Sequence, residues 1–110
     1  MMKILLSDVQ RLVKEEYDRA SEQHGDRFNS PHEAYAVMLE ELEEAEHEYF
    51  SARGFLKDSF WDKTKNDGLQ QCRLYAKDIQ QHAENAAAEM IQLAAMAHKA
   101  RKGYKNEPVD

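Results

Sequence analysis

Three stretches of the chain repeat apolar residues every three or four positions, the period of a helix that buries one face. The first opens at Ser7, where Ser7 and Gln10 form a capping box, and it places Val9, Leu12, Val13, Tyr17 and Ala20 on one side. Ile4, Leu5 and Leu6 either pack beneath this helix or begin it a turn earlier. Residues 24–29 form a turn, with Gly25 as a left-handed terminator. Phe28, just ahead of the next cap, reads either as a staple onto the second helix or as a ligand contact. The second stretch runs from Pro31 to near Ala52, with Ser30 as N-cap, Pro31 at the first helical position and Glu33 completing a capping box. Gly54 ends or bends it. The third runs from Leu69 to about Lys102 without Pro or Gly, as one long helix or as two with a kink near residues 82–85.

These patterns predict an all-α fold, a helical bundle of three main helices with a short helical or irregular connection over residues 55–68. One domain is expected over residues 1–103, with a frayed tail at 104–110. Phe55, Leu56, Phe60 and Trp61 make the connection unusually apolar. They read as a flap packed on the protein or on a partner chain, or as an aromatic wall against a nucleobase.

The second helix changes the picture. At about 100° per residue, Ala34, Tyr35, Met38, Leu42, Ala45 and Tyr49 form its apolar stripe, and Glu40, Glu43 and His47 lie opposite. Glu41 falls at the shoulder, between Val37 and the pair Ala34 and Ala45, and Glu44 and Glu48 continue that shoulder. Carboxylates pressed against a core cost several kcal/mol, on rough estimates, unless they are protonated, paired or given a cation. No Lys or Arg stands between positions 33 and 48, and Arg53 is the first base after the run. That scarcity points to a metal site. On the third helix Tyr75, Ile79, Ala86, Met90, Leu93 and Ala97 form the buried stripe. Asp78, Asn85, Glu89, Gln92, Met96 and Lys99 follow one shoulder of it.

Charge and composition narrow the partners. A net charge of −6 argues against nucleic acid polymers and anionic membranes, though not against a small anion delivered with metal ions. The lone Cys72 makes no internal disulfide and has no CxxC context. No stretch has the length of apolar residues needed to span a bilayer, and the opening MMKILLSDVQ is too short in its apolar run for a signal peptide. A cytoplasmic protein is expected. Glu44 and His47 supply one Glu-x-x-His copy of the pair that a di-iron carboxylate bundle uses, and no second copy exists.

The segment Glu40-Glu41-Leu42-Glu43-Glu44 resembles the Glu-Glu-x-x-Glu signature of the MazG-like all-α NTP pyrophosphohydrolase superfamily. Glu89-Met90-Ile91-Gln92 stands where that family has Glu-x-x-Asp on a following helix. The resemblance covers roughly residues 30–99. It implies a helical bundle that forms dimers or tetramers and cuts nucleoside triphosphates between the α and β phosphates. Carried over by position, Glu41, Glu44 and Glu89 match metal-binding glutamates, while Glu40 matches the leading Glu, which ligates or holds a water. The implied cofactor is Mg²⁺, with Mn²⁺ as a substitute. Gln92 departs from the pattern: its amide oxygen can coordinate Mg²⁺ but brings no charge. In this it is similar to a phage-associated branch of the superfamily. The resemblance makes Glu40, Glu41 and Glu44 the catalytic candidates and Glu41, Glu44, Glu89 and Gln92 the metal ligands, with Glu48 a second candidate to orient the water. Lys99, Asn85, Phe28 and Trp61 are the substrate-binding candidates, Lys99 as a phosphate contact. The competing expectation is a helical interaction module that kept the fold and lost turnover.

Overall fold

A computed structural model describes residues 2–107. Among them the chain is all-helical: α1 (Met2–His24), α2 (Pro31–Gly54), a π-helical segment (Phe55–Phe60), α3 (Trp61–Lys65) and α4 (Leu69–Arg101). No strand occurs among the described residues; an isolated parallel bridge joins Phe28 to Tyr104. No described helix is long and apolar enough to cross a membrane.

Two alternatives that the periodicity leaves open are decided. Helix α1 starts a turn earlier than its capping box, so Ile4, Leu5 and Leu6 are helical, and all three are exposed. Helix α4 is a single run with no break near His82. Gly25 ends α1 as expected, at φ +85°, and its N–H bonds to the Ser21 carbonyl at 2.9 Å. Ser30 caps α2 by accepting from the Glu33 N–H at 3.3 Å. The Glu33 carboxylate accepts from the Asn29 side-chain amide at 2.7 Å.

Close packing divides the chain into two compact units, one within residues 1–42 and 90–110, the other within 43–89. Helices α2 and α4 each contribute to both. In the first unit Tyr17, Ala20, Phe28, Ala34, Ala95 and Lys99 are buried. Tyr17 meets the His98 ring edge-on at 4.6 Å and donates its hydroxyl to the Asp26 carbonyl at 3.4 Å. The segment expected to fray is tied down as far as it is described. The Lys105 N–H bonds to the Phe28 carbonyl at 2.9 Å, and Glu107 accepts from the Tyr104 N–H at 3.0 Å. Gly103, at φ +97°, makes the turn that brings this segment back. Residues 108–110 of that expected tail lie outside the described residues.

In the second unit the connection is helical from Phe55 to Lys65 and turns at residues 66–68. Phe55 stacks on the His82 ring at 5.6 Å and contacts Tyr75 at 6.0 Å, while Glu48, a residue of α2, bonds to His82, so the chain here runs antiparallel to α4. Thr64 closes the short α3 by donating to the Phe60 carbonyl at 2.8 Å. Trp61 is 56% exposed, with Lys65 over its ring.

The covered face of α2 keeps Ala34, Met38 and Ala45 of the expected apolar stripe but not its larger residues. Tyr35 is 66% exposed and Tyr49 56%, and Leu42 is exposed too. Ala34, Met38, Glu41, Ala45, Glu48 and Ala52, spaced by three and four, are covered instead. Apolar residues lie nearly all round α2, so contact with α4 rather than hydrophobicity decides which side turns in. Small alanines allow close approach of helix backbones. The consequence is that Glu41 and Glu48 stand in the inward row.

Candidate metal centre

Glu44 and Glu41 share a face of α2 one turn apart, and Glu89 comes from α4. Each offers a carboxylate oxygen, and the three oxygens lie within 4.8 Å of one another. Glu44 is exposed, while Glu41 and Glu89 are half-buried. The Glu44 carboxyl is raised above its ordinary range, chiefly by a hydrogen bond with Glu89, then by the repulsion of that charge, then by desolvation. Two carboxylates in hydrogen-bond contact must share a proton between them, and a divalent cation can take that proton's place. The donor set, all oxygen and all anionic, suits a hard ion such as Mg²⁺. Glu41, Glu89 and Gln92 also have neighbours that engage them. The fit is therefore that of a cluster whose members already interact and into which an ion would substitute.

Glu44 and Glu89 open onto a cleft of about 420 Å³ lined also by Glu43, His47 and Glu48. At its side Glu48 lies 2.6 Å from His82, whose Nδ1–H donates to it. That bond is the main influence holding the Glu48 carboxyl below its ordinary range; desolvation opposes it, and a hydrogen bond from Asn85 reinforces it. Phe55 stacked on the imidazole fixes the ring plane. Glu48 is thus a carboxylate oriented by a donor, whereas Glu44 faces the carboxylate of Glu89.

The structure sorts the other candidates. Glu40 is exposed and outside the cluster. Gln92 follows Glu89 by one turn on α4 and is half-buried. The amide of Asn85 is engaged with Glu48. Phe28 and Lys99 belong to the first unit, with the Lys99 ammonium 4.4 Å from the Phe28 ring centre. Trp61 lines none of the cleft.

Periodicity alone did not single out His82. The signal was present in the numbering. Phe55 meets Tyr75 and Glu48 meets His82, pairs that step by seven along two antiparallel helices. The same step carries Glu48 back to Glu41 and His82 on to Glu89, so one row holds these four residues, with Glu44 beside it.

Comparison with protein-family models, with curated proteins and with solved structures gave no match for the chain. The resemblance to the MazG-like superfamily rests on the quoted motifs alone.

Proposed function

We propose that the protein is a Mg²⁺-dependent nucleoside triphosphate pyrophosphohydrolase of MazG-like type, acting in the cytoplasm and releasing a nucleoside monophosphate and pyrophosphate. The observation that carries this reading is the approach of Glu41, Glu44 and Glu89 to within 4.8 Å of one another from two helices. A bound Mg²⁺ would neutralise the triphosphate and lower the pKa of an attacking water. Glu41, Glu44 and Glu89 would hold the ion, with the Gln92 amide oxygen a neutral fourth candidate and Mn²⁺ an acceptable substitute. Glu48, ionised and aimed by His82 and Asn85, accepts the water's proton. Glu43 and His47 line the approach.

The same reading expects a homodimer or homotetramer. Among the described residues no large side chain is wholly enclosed, and Met2, Ile4, Leu5 and Leu6 crowd one exposed end of α1. Light scattering of the purified chain reads the subunit number directly.

Gln92 favours a second reading, an interaction module that binds the ion and turns nothing over. One experiment separates the two. Pyrophosphate release is measured over a panel of ribo- and deoxyribonucleoside triphosphates, with Mg²⁺ and with chelator. The hydrolase releases pyrophosphate from at least one substrate in a Mg²⁺-dependent way, and Glu41→Gln abolishes it. Mg²⁺ binding by calorimetry without release from any substrate leaves the module, and no saturable Mg²⁺ binding removes both.

A further inference from the structure

The first unit holds a charge that the described residues do not pair. Lys99 is only 5% exposed, the sole buried charged residue among those described. Its ammonium rests over the Phe28 ring at 4.4 Å and makes no hydrogen bond or ion pair with any described residue. An ammonium removed from water costs several kcal/mol on rough estimates, and a ring face returns only about 2 of them. Buried lysines are ordinarily paired.

A second vacancy in the hydrogen bonding lies at the same turn. Ser21 Oγ is buried with no hydrogen-bond partner among the described residues, and its own carbonyl accepts the Gly25 N–H that starts the α1–α2 connection. Two further lysines lie along this connection. Lys105 bonds through its backbone to Phe28, and its ammonium comes to within 3.5 Å of where a side chain at Gly25 would begin. Lys102 lies 5.9 Å from the ring centre of Tyr17, the residue whose hydroxyl holds Asp26. Neither has an ion pair among the described residues. The nearby acids are occupied or few: Asp18 pairs with Lys14, Glu107 accepts from Tyr104, and Asp26 remains. His98 is held below its ordinary range chiefly by burial, then by Lys102, Arg101 and Lys14, with Asp18 opposing.

We propose that the α1–α2 connection of the first unit, with Lys99 at its centre and Lys102 and Lys105 at its rim, is an anion site for a phosphate group. Three ammonium groups that carry no fork geometry suit a multiply charged tetrahedral oxyanion better than a single carboxylate, which would answer only one of them. The phosphate can be inorganic or part of a nucleotide, and the chemistry of recognition is shared. The site needs no divalent ion, so it stands or falls separately from the glutamate cluster.

The test uses the full chain in chelator, with inorganic phosphate, pyrophosphate and a nucleoside monophosphate as separate titrants in calorimetry. Saturable binding of at least one is expected. Lys99→Met should weaken it about tenfold or more, the worth of a charge-assisted hydrogen bond. Lys57→Met, which removes the same charge from the second unit, should change it less than about twofold. Tight binding of pyrophosphate with none of the nucleotide identifies the free anion, and the reverse identifies the phosphoryl group. Absence of saturation with all three up to about 10 mM overturns the site, as does equal weakening by both substitutions. Should Lys99→Met not fold, the Phe28 and Tyr17 ring resonances of the unaltered chain decide. They must shift during the titration, and their constancy refutes the proposal.

Discussion

Replacing Phe28 by leucine and Lys99 by methionine, singly and together, measures how strongly the buried cation depends on the ring beneath it. The ring is 2% exposed, the lysine 5%, and they lie 4.4 Å apart, well inside the distance of about 6 Å over which a ring face attracts a cation. Such an attraction is worth about 0.5–1 kcal/mol at the surface and about 2 when desolvated. Burial of both partners places this pair at the upper end. Phe28→Leu keeps most of the apolar bulk, so repacking costs under about 1.5 kcal/mol. Adding the lost attraction brings the expected total to about 2–3.5 kcal/mol. Lys99→Met keeps the length of the stem and relieves the desolvated charge, so it costs little or nothing. In the double variant the attraction is already absent, and the cycle should return a coupling of about 2 kcal/mol, roughly 8 °C in Tm for a chain of this size. Urea unfolding of the four proteins supplies the free energies, provided that each unfolds in one transition. A coupling below about 0.5 kcal/mol, the ordinary error of additivity, would refute the placement of the ammonium on the ring.

Other outcomes follow from the second unit and from the carboxyl-terminal segment. In chelator, the raised Glu44 carboxyl binds its proton more tightly folded than unfolded. Its contribution is therefore greatest below the ordinary glutamate range and is lost as pH rises through the raised value. Glu44→Gln should flatten that part of the Tm-against-pH curve. Glu48 carries the opposite sign: its contribution is present above the ordinary range and is lost as pH falls through its lowered value, so His82→Phe should weaken the acid limb of the same curve. Gln92→Asp should tighten Mg²⁺ binding about tenfold by adding an anionic ligand, and unchanged affinity in calorimetry would place Gln92 outside the ligand set. Lys105→Pro removes the N–H bound to the Phe28 carbonyl and should cost about 1–3 kcal/mol in urea unfolding.

Helix content was legible because capping and terminating residues are local. Ser30, Pro31 and Gly25 act where they stand, whatever packs around them. Which face of α2 turns inward was not legible in the same way. Tyr35 and Tyr49 were expected in the buried stripe and are exposed, while Glu41 and Glu48 stand in the covered row. A helix with apolar residues on most sides has no unique inward direction until its partner is in place. The glutamates were conspicuous for want of nearby bases, but their pairing with Glu89 and His82 depends on the register between distant helices. Lys99 was legible in sequence as a shoulder residue and phosphate-contact candidate, but not as a buried one. It is buried over the ring of Phe28, which helical periodicity does not connect to it.

The π-helical run at Phe55–Phe60 has a bearing on how this chain can vary in length. Each of its hydrogen-bonded loops encloses one residue more than an α-helical loop does, and the Trp61 N–H reaches back to the Leu56 carbonyl in that way. Removing any single residue there would let ordinary helix run straight from Pro31 to Lys65, but with the upstream part turned by about 100° against the downstream part. Phe55 would then swing off the imidazole, and Glu48 would lose the donor that aims it. The extra residue acts as an angular spacer, setting the phase between one half of the helical rod and the other.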